Sequence, residues 1–193
     1  MGKICYIMGK SSSGKDTVFK KLRESLKDYR TIVMYTTRPI RSGELNGEEY
    51  FFVGEEELQK LTQEGRVIEL RAYHTHCGIW KYFTVDDGQI DLERYNYLVI
   101  GTLKSYECLK EYFGPEALIP VYIEVDDGER LQRALDRERS QDVPRYAEMC
   151  RRFLADCEDF SEENVRKAGI GKRFENKEIE QCTQEILRYL GEA

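Results

Sequence analysis

The chain has 193 residues, 40% of them hydrophobic, and thirty basic against thirty-six acidic side chains give a formal net charge of −6. That size suits one compact domain with insertions and a sizeable core, and a second full domain is not expected. The net acidity offers no general attraction to nucleic acid or to an anionic membrane. No stretch approaches the roughly 18 apolar residues of a membrane span, and no leader pattern opens the chain, so a cytoplasmic protein is expected.

The first element is the apolar run Ile4-Cys5-Tyr6-Ile7-Met8, read as a buried strand. It leads directly into Gly9-Lys10-Ser11-Ser12-Ser13-Gly14-Lys15, and a helix is expected from Asp16 to Leu26, with Val18, Phe19, Leu22 and Leu26 on one face. This strand–loop–helix context makes the loop a nucleotide phosphate cradle. Gly9 and Gly14 let the backbone turn tightly, the intervening N–H groups point inward, the helix start adds its positive dipole end, and Lys15 adds a mobile ammonium. An ordinary glycine- and serine-rich turn is the alternative, but spacing, lysine and context coincide. The pattern GxxxxGK[ST] fails only at its last position, where Asp16 replaces the hydroxyl residue that usually touches magnesium.

Further strands are expected at Ile32 to Tyr35, Leu98 to Ile100 and Ile119 to Val125, and further helices at Leu103 to Tyr112 and Glu129 to Arg139. Another helix is expected to start near Pro144 and run to about Phe160. A last one is marked by the apolar stripe Ile179, Cys182, Ile186, Leu187 and Leu190. The alternation predicts an α/β core with a doubly wound parallel sheet. Between the second and third core strands, Tyr35 to about Asp87 has a different character, with short strands, one small helix and many turn residues. It reads as an inserted lobe, with Asn46-Gly47 as a tight hairpin turn before the strand-like Tyr50-Phe51-Phe52-Val53.

In that lobe Arg38 and Arg41 flank Pro39-Ile40, a spacing that lets two guanidinium groups converge on one anion, and a bidentate clamp of this kind suits a phosphate. The six cysteines, Cys5, Cys77, Cys108, Cys150, Cys157 and Cys182, form no CxxC pair and are read as reduced thiols. His74, His76 and Cys77 form the only cluster resembling metal ligands, and a fourth ligand at zinc spacing is missing.

A GxxxxGK loop followed by Thr36-Thr37-Arg38-Pro39-Ile40-Arg41-Ser42-Gly43-Glu44 and then by Tyr50 and Phe52 resembles the guanylate kinases. The likeness is strongest over residues 3–53 and continues, more weakly, through nearly the whole chain. It implies a three-layer P-loop NTPase fold with core segments 1–34, 88–130 and 160–193, an insertion at 35–87 that binds the nucleoside monophosphate, and a lid at 131–159. It implies ATP-dependent phosphorylation of a nucleoside monophosphate, GMP first among them, with Mg2+ as cofactor. Gly9, Lys10, Ser11, Ser12, Ser13, Gly14, Lys15, Asp16 and Thr17 would hold ATP, and Asn176 falls near a family asparagine that contacts adenine. Arg38, Arg41 and Tyr50 inherit the acceptor phosphate, with Glu44 beside them, and Glu69 sits where the family places a carboxylate that reads guanine N1 and N2. Arg133 and Arg137, one helical turn apart, would be lid cations closing on the reaction, unless they are merely solvated. Arg151 or Arg152 would be a third.

The sequence also departs from that family. Met34 or Tyr35 stands where the family has a serine before the TTR triplet, and His76-Cys77-Gly78-Ile79-Trp80 replaces the NYYGTS stretch that walls the guanine pocket. Ile100-Gly101-Thr102 replaces the acidic DID segment of the third core strand. Asp16 offers a compensation as a magnesium ligand, with helix capping as the alternative role. Two other functions stay open at this point, a P-loop kinase of another small acceptor and a non-catalytic guanylate-kinase-like binding module.

Overall fold

The computed structural model describes residues 1–75 and 78–192. In chain order the core elements are β1 (Ile4–Met8), α1 (Lys15–Ser25), β2 (Tyr29–Thr31), β7 (Asn96–Gly101), α3 (Leu103–Phe113), β8 (Leu118–Glu124), α4 (Asp127–Arg139), α5 (Tyr146–Asp159), α6 (Glu162–Lys167), β9 (Arg173–Glu175) and α7 (Ile179–Glu192). Between β2 and β7 lie β3 (Tyr35–Thr36), β4 (Phe51–Phe52), α2 (Glu55–Gln63), β5 (Val67–Thr75) and β6 (Gly78–Val85).

Five strands form a parallel sheet in the order β2-β7-β1-β8-β9. β1 runs at its centre with all five residues buried, which is why it reads as a continuous apolar run rather than an alternating one. Its pleat sends Ile4, Tyr6 and Met8 into a layer with Tyr106, Leu109 and Val165, and Cys5 and Ile7 into a layer with Val18, Leu22, Cys182 and Ile186. Helices therefore cover both faces, giving the three-layer α/β architecture of a P-loop NTPase. Helix starts are fixed by side-chain caps, with Thr102 accepting from Ser105 N–H and Asp126 accepting from the N–H groups of Gly128 and Glu129.

The second sheet has the order β4-β3-β6-β5 and packs Phe83 and Val85 against Leu58 and Leu61 of α2. Two expectations fail here. The apolar run Ile32 to Tyr35 is not a strand, because the side chain of Gln89 satisfies both the N–H and the carbonyl of Val33 and ends the ladder after the Ile32 N–H bond to Leu98. The core strand lies earlier, at Tyr29–Thr31, while Tyr35 crosses to the second sheet. Asn46-Gly47 does form a turn, with Gly47 at φ +87°, but no hairpin follows. Asn46 Oδ1 accepts the Phe52 N–H, and β4 runs parallel to β3, so the turn feeds a crossover. The short α6 and β9 have no periodic sequence signal of their own.

Among the described residues no helix is long and apolar enough to cross a membrane. Cys5, Cys108, Cys150, Cys157 and Cys182 are free thiols, and Cys77 lies outside the described residues. Among the described residues no group of three or more His, Cys, Asp or Glu side chains could hold a metal. The cluster of His74, His76 and Cys77 lies partly outside them.

Candidate nucleotide site

The loop between β1 and α1 wraps tightly. A Cβ on Gly9 would meet the Ile123 carbonyl oxygen at 2.5 Å, and Gly14, at φ +80°, adopts a left-handed conformation as the helix N-cap. Ser12 is held at φ +63° without being glycine, a local strain typical of backbones shaped for a ligand. The hydroxyls of Ser12 and Ser13 are buried without a hydrogen-bond partner. Buried polar groups are normally satisfied, so two orphaned hydroxyls beside the N-terminus of a helix fit a cradle for phosphate oxygens.

Asn176, 1% exposed, lies beneath this loop and donates from Nδ2 to the Ser13 carbonyl at 2.8 Å. It braces the loop from beneath, while its Oδ1 is buried without a hydrogen-bond partner. Lys15 Nζ lies 3.7 Å from the Asp16 carboxylate, whose side chain is 78% exposed. Asp16 makes no capping bond, since Gly14 is the N-cap and no side chain caps it. Its oxygens are a hard donor set at the mouth of the cradle, and magnesium held by one carboxylate, phosphate oxygens and water fits that arrangement. Thr17 is exposed beside it.

The segment from α4 to α5 closes over the loop. Arg130, 1% exposed, donates from Nη1 to the Ser11 carbonyl at 2.9 Å and from Nε and Nη2 to Asp127 at 3.0 and 2.8 Å. Asp127 also takes Lys10 Nζ at 3.1 Å, and these cations hold its carboxyl below the ordinary range against the opposing effect of burial. From α5, Asp156 accepts the Ser11 N–H at 2.7 Å and Arg152 Nη2 reaches Ser11 Oγ at 3.3 Å. A cavity of about 30 Å3 remains between loop and lid, lined by Ser11, Ser12, Arg130, Arg137 and Arg152 among others. Arg137 thus faces the loop, whereas Arg133 pairs with Glu129 at 3.1 Å and donates to the Asn176 carbonyl at 3.4 Å. Of the two arginines Arg151 and Arg152, Arg152 is the one that reaches the loop, and Arg151 turns outward to Glu148. Arg130 and Asp156 were not anticipated from sequence, although Arg130 sits one turn before Arg133.

On the opposite wall Arg38, 4% exposed, forms a fork to Glu44, with Nη1 to Oε2 at 2.7 Å and Nη2 to Oε1 at 2.5 Å. Glu44 also accepts the Arg41 N–H at 2.8 Å. Glu44 thus receives the Arg38 guanidinium and an Arg41 backbone N–H, while the Arg41 guanidinium lies 5.9 Å over the Trp80 ring. Held chiefly by Arg38, the Glu44 carboxyl is lowered to about 2. Arg38 spends two Nη1 hydrogens on Glu44 and the Pro39 carbonyl and one Nη2 hydrogen on Glu44, and the Tyr82 side chain also lies within its hydrogen-bonding reach. Tyr50 lies under Arg38, 5.3 Å from guanidinium to ring, and meets Tyr82 edge-on at 5.5 Å. Tyr82, unmarked in the sequence reading, thus belongs to this wall.

Glu69, 5% exposed, lies on β5 of the same sheet. Its carboxylate is bound by Arg71 and Thr84. On β7, Gly101 leaves room for Tyr6, whose hydroxyl would lie 2.0 Å from a Cβ there and which donates to the Thr102 carbonyl at 3.1 Å. The strand segment Ile100-Gly101-Thr102, which carries no acid, thus packs against a buried tyrosine.

A tight glycine-bearing loop between the central strand β1 and helix α1 of a three-layer parallel α/β core gives the chain the class of a P-loop NTPase fold. The guanylate kinase family model matches residues 1–79. The chain is 32% identical to the guanylate kinase of Chlorobaculum tepidum over 142 residues, covering 72% of this chain and 70% of that one. It is 34% identical to the guanylate kinase of Caldanaerobacter subterraneus over 116 residues, 57% of this chain and 54% of that one. A crystal structure of guanylate kinase from Anaplasma phagocytophilum superposes with a TM-score of 0.67 at 20% identity, covering 98% of this chain and 84% of that one. This chain belongs to the guanylate kinase family. Its matches span about half the length of some of those curated relatives, 54% in the Caldanaerobacter protein and 39% in that of Corynebacterium diphtheriae.

Proposed function

We propose that this protein transfers the γ-phosphoryl group of ATP to a nucleoside monophosphate, GMP in the first instance, releasing ADP and a nucleoside diphosphate. The observation that carries this reading is the strained loop with its orphaned Ser12 and Ser13 hydroxyls, joined in one fold to a buried Arg38 whose guanidinium is held in place by Glu44. A binding module would need neither a lysine-bearing cradle nor a second phosphate clamp.

In this reading Lys15 and the N–H groups of residues 10–15 hold the β- and γ-phosphates. Asp16 would hold Mg2+, which when bound neutralises developing charge on those phosphates. Arg38, Arg41 and Tyr50 align the acceptor phosphate, and Glu44 fixes the Arg38 fork. Segment 35–87 acts as the acceptor lobe and 131–159 as the lid. Lid cations Arg137 and Arg152, with Arg130 behind them, stabilise charge that spreads in the transition state, and closure excludes water that would otherwise hydrolyse ATP. Arg133 acts through the Asn176 brace and is a positioning residue. Free thiols support a reducing, cytoplasmic setting. A coupled ADP-release assay across the monophosphates, with and without magnesium, tests the reading. Magnesium-dependent turnover with GMP is expected, and acceptor-independent ATP loss or no turnover would overturn it.

A further inference from the structure

A carboxylate that reads guanine must accept from both N1–H and the 2-amino group, and that requires two free acceptor positions. Glu69 does not have them. Its Oε1 accepts from Thr84 Oγ1 at 2.9 Å and from Arg71 Nη2 at 3.1 Å, and its Oε2 accepts from Arg71 Nε at 2.9 Å. Three of roughly four acceptor positions are taken. Both side chains are buried, 2% exposed for Glu69 and 10% for Arg71, so the fork is a desolvated ion pair, costly to open.

Arg71 is itself anchored. Nη1 reaches Thr102 Oγ1 at 3.4 Å and Nη2 reaches Met34 Sδ at 3.6 Å, two positions at which this chain departs from the family pattern. One Nη1 hydrogen has no partner in that set. Arg71 also borders a cavity of about 500 Å3 lined by Tyr73, Thr102 and Lys104, a space large enough for a base, with Glu69 behind it. Glu69 and Arg71 together offer one acceptor and one donor where a bare carboxylate would offer two acceptors.

Resting on the kinase reading of this cleft, we infer that Arg71 is a specificity-determining residue that abolishes the reading of the purine 2-amino group, so that the acceptor site takes inosine monophosphate as readily as GMP. N1–H donates to the remaining Glu69 position and the 6-oxo group accepts from Arg71. Both features are common to the two nucleotides. The 2-amino group of guanine finds no acceptor and gains nothing from the site.

The test is equilibrium titration calorimetry of the wild-type protein and of Arg71→Met with each monophosphate. Wild-type Kd values should agree within about fivefold, whereas Arg71→Met, with its carboxylate released, should favour GMP by about tenfold or more, the worth of one added buried hydrogen bond. A wild-type preference for GMP above about tenfold, unchanged in Arg71→Met, overturns the inference. Should Arg71→Met fail to fold, the wild-type ratio alone decides. Binding of both nucleotides without phosphoryl transfer would contradict the kinase reading and leave this inference standing, and binding of neither would contradict both.

Discussion

Asp156 and Ser11, 145 positions apart in sequence, are joined by a 2.7 Å hydrogen bond from the Ser11 N–H to the Asp156 carboxylate. The lid thus places an anion on a donor of the phosphate cradle, beside Arg130 at 3.7 Å. In the proposed function a phosphate bound at this loop would compete with the carboxylate for one N–H group and one guanidinium.

Asp156→Asn should therefore tighten ATP binding by about threefold to tenfold, because the competitor loses its charge and Arg130 keeps its own. Titration calorimetry checks this. A weaker ATP affinity in a folded variant would mean that Asp156 shapes the loop rather than competes for it.

Lys15→Ala should lower turnover by roughly a hundredfold or more, as expected for loss of a transition-state cation, with little change in thermal stability. Among the described residues the ammonium belongs to no apolar cluster and pairs only with exposed Asp16, at 3.7 Å. Kinetics alongside a melting curve separates the two effects. Near-normal turnover would remove the loop from the chemistry.

Much of the site was legible because it is local. β1, the loop and α1 are contiguous, and the whole cradle could be read from one stretch with its glycines and lysine in register. Arg38, Arg41 and Glu44 were legible as residues but not as a geometry, since nothing in a linear pattern says that Glu44 rather than a ligand receives the Arg38 fork. Arg130, Asp156 and Arg71 were illegible for a common reason. Each draws its meaning from a partner brought near by folding, and a charged residue on a helix or strand face reads as solvated until the opposite element is known. The same holds for Ile32 to Met34, whose burial between two sheets mimics a strand in composition while Gln89 takes the backbone bonds.

Glu44→Gln should raise the acceptor KM by about tenfold with ATP affinity unchanged, because a neutral amide holds the Arg38 fork less firmly. The same carboxylate sets an acid limit. Its folded pKa of about 2 lies below the ordinary 4.5, so its contribution is complete above about pH 4.5 and is lost as pH falls from there toward 2. With partial solvent contact allowed for, about 1–2 kcal/mol is at stake. Urea melts at pH 6 and pH 3 should show a smaller acid loss in Glu44→Gln than in the wild type.

Asp16→Asn should raise the magnesium concentration needed for half-maximal turnover by about tenfold, while metal-free nucleotide binding changes little. Asp16→Ser should recover only part of the activity, since Ile100 and Thr102 supply no acid nearby. An unchanged magnesium titration in Asp16→Asn would confine Asp16 to a favourable charge at the helix start.

The fate of the γ-phosphate decides the central claim. With γ-labelled ATP, magnesium and GMP, label should appear in GDP and depend on both Lys15 and Arg38. Label found only in inorganic phosphate, or retained on ATP under conditions where both nucleotides bind, would contradict the account.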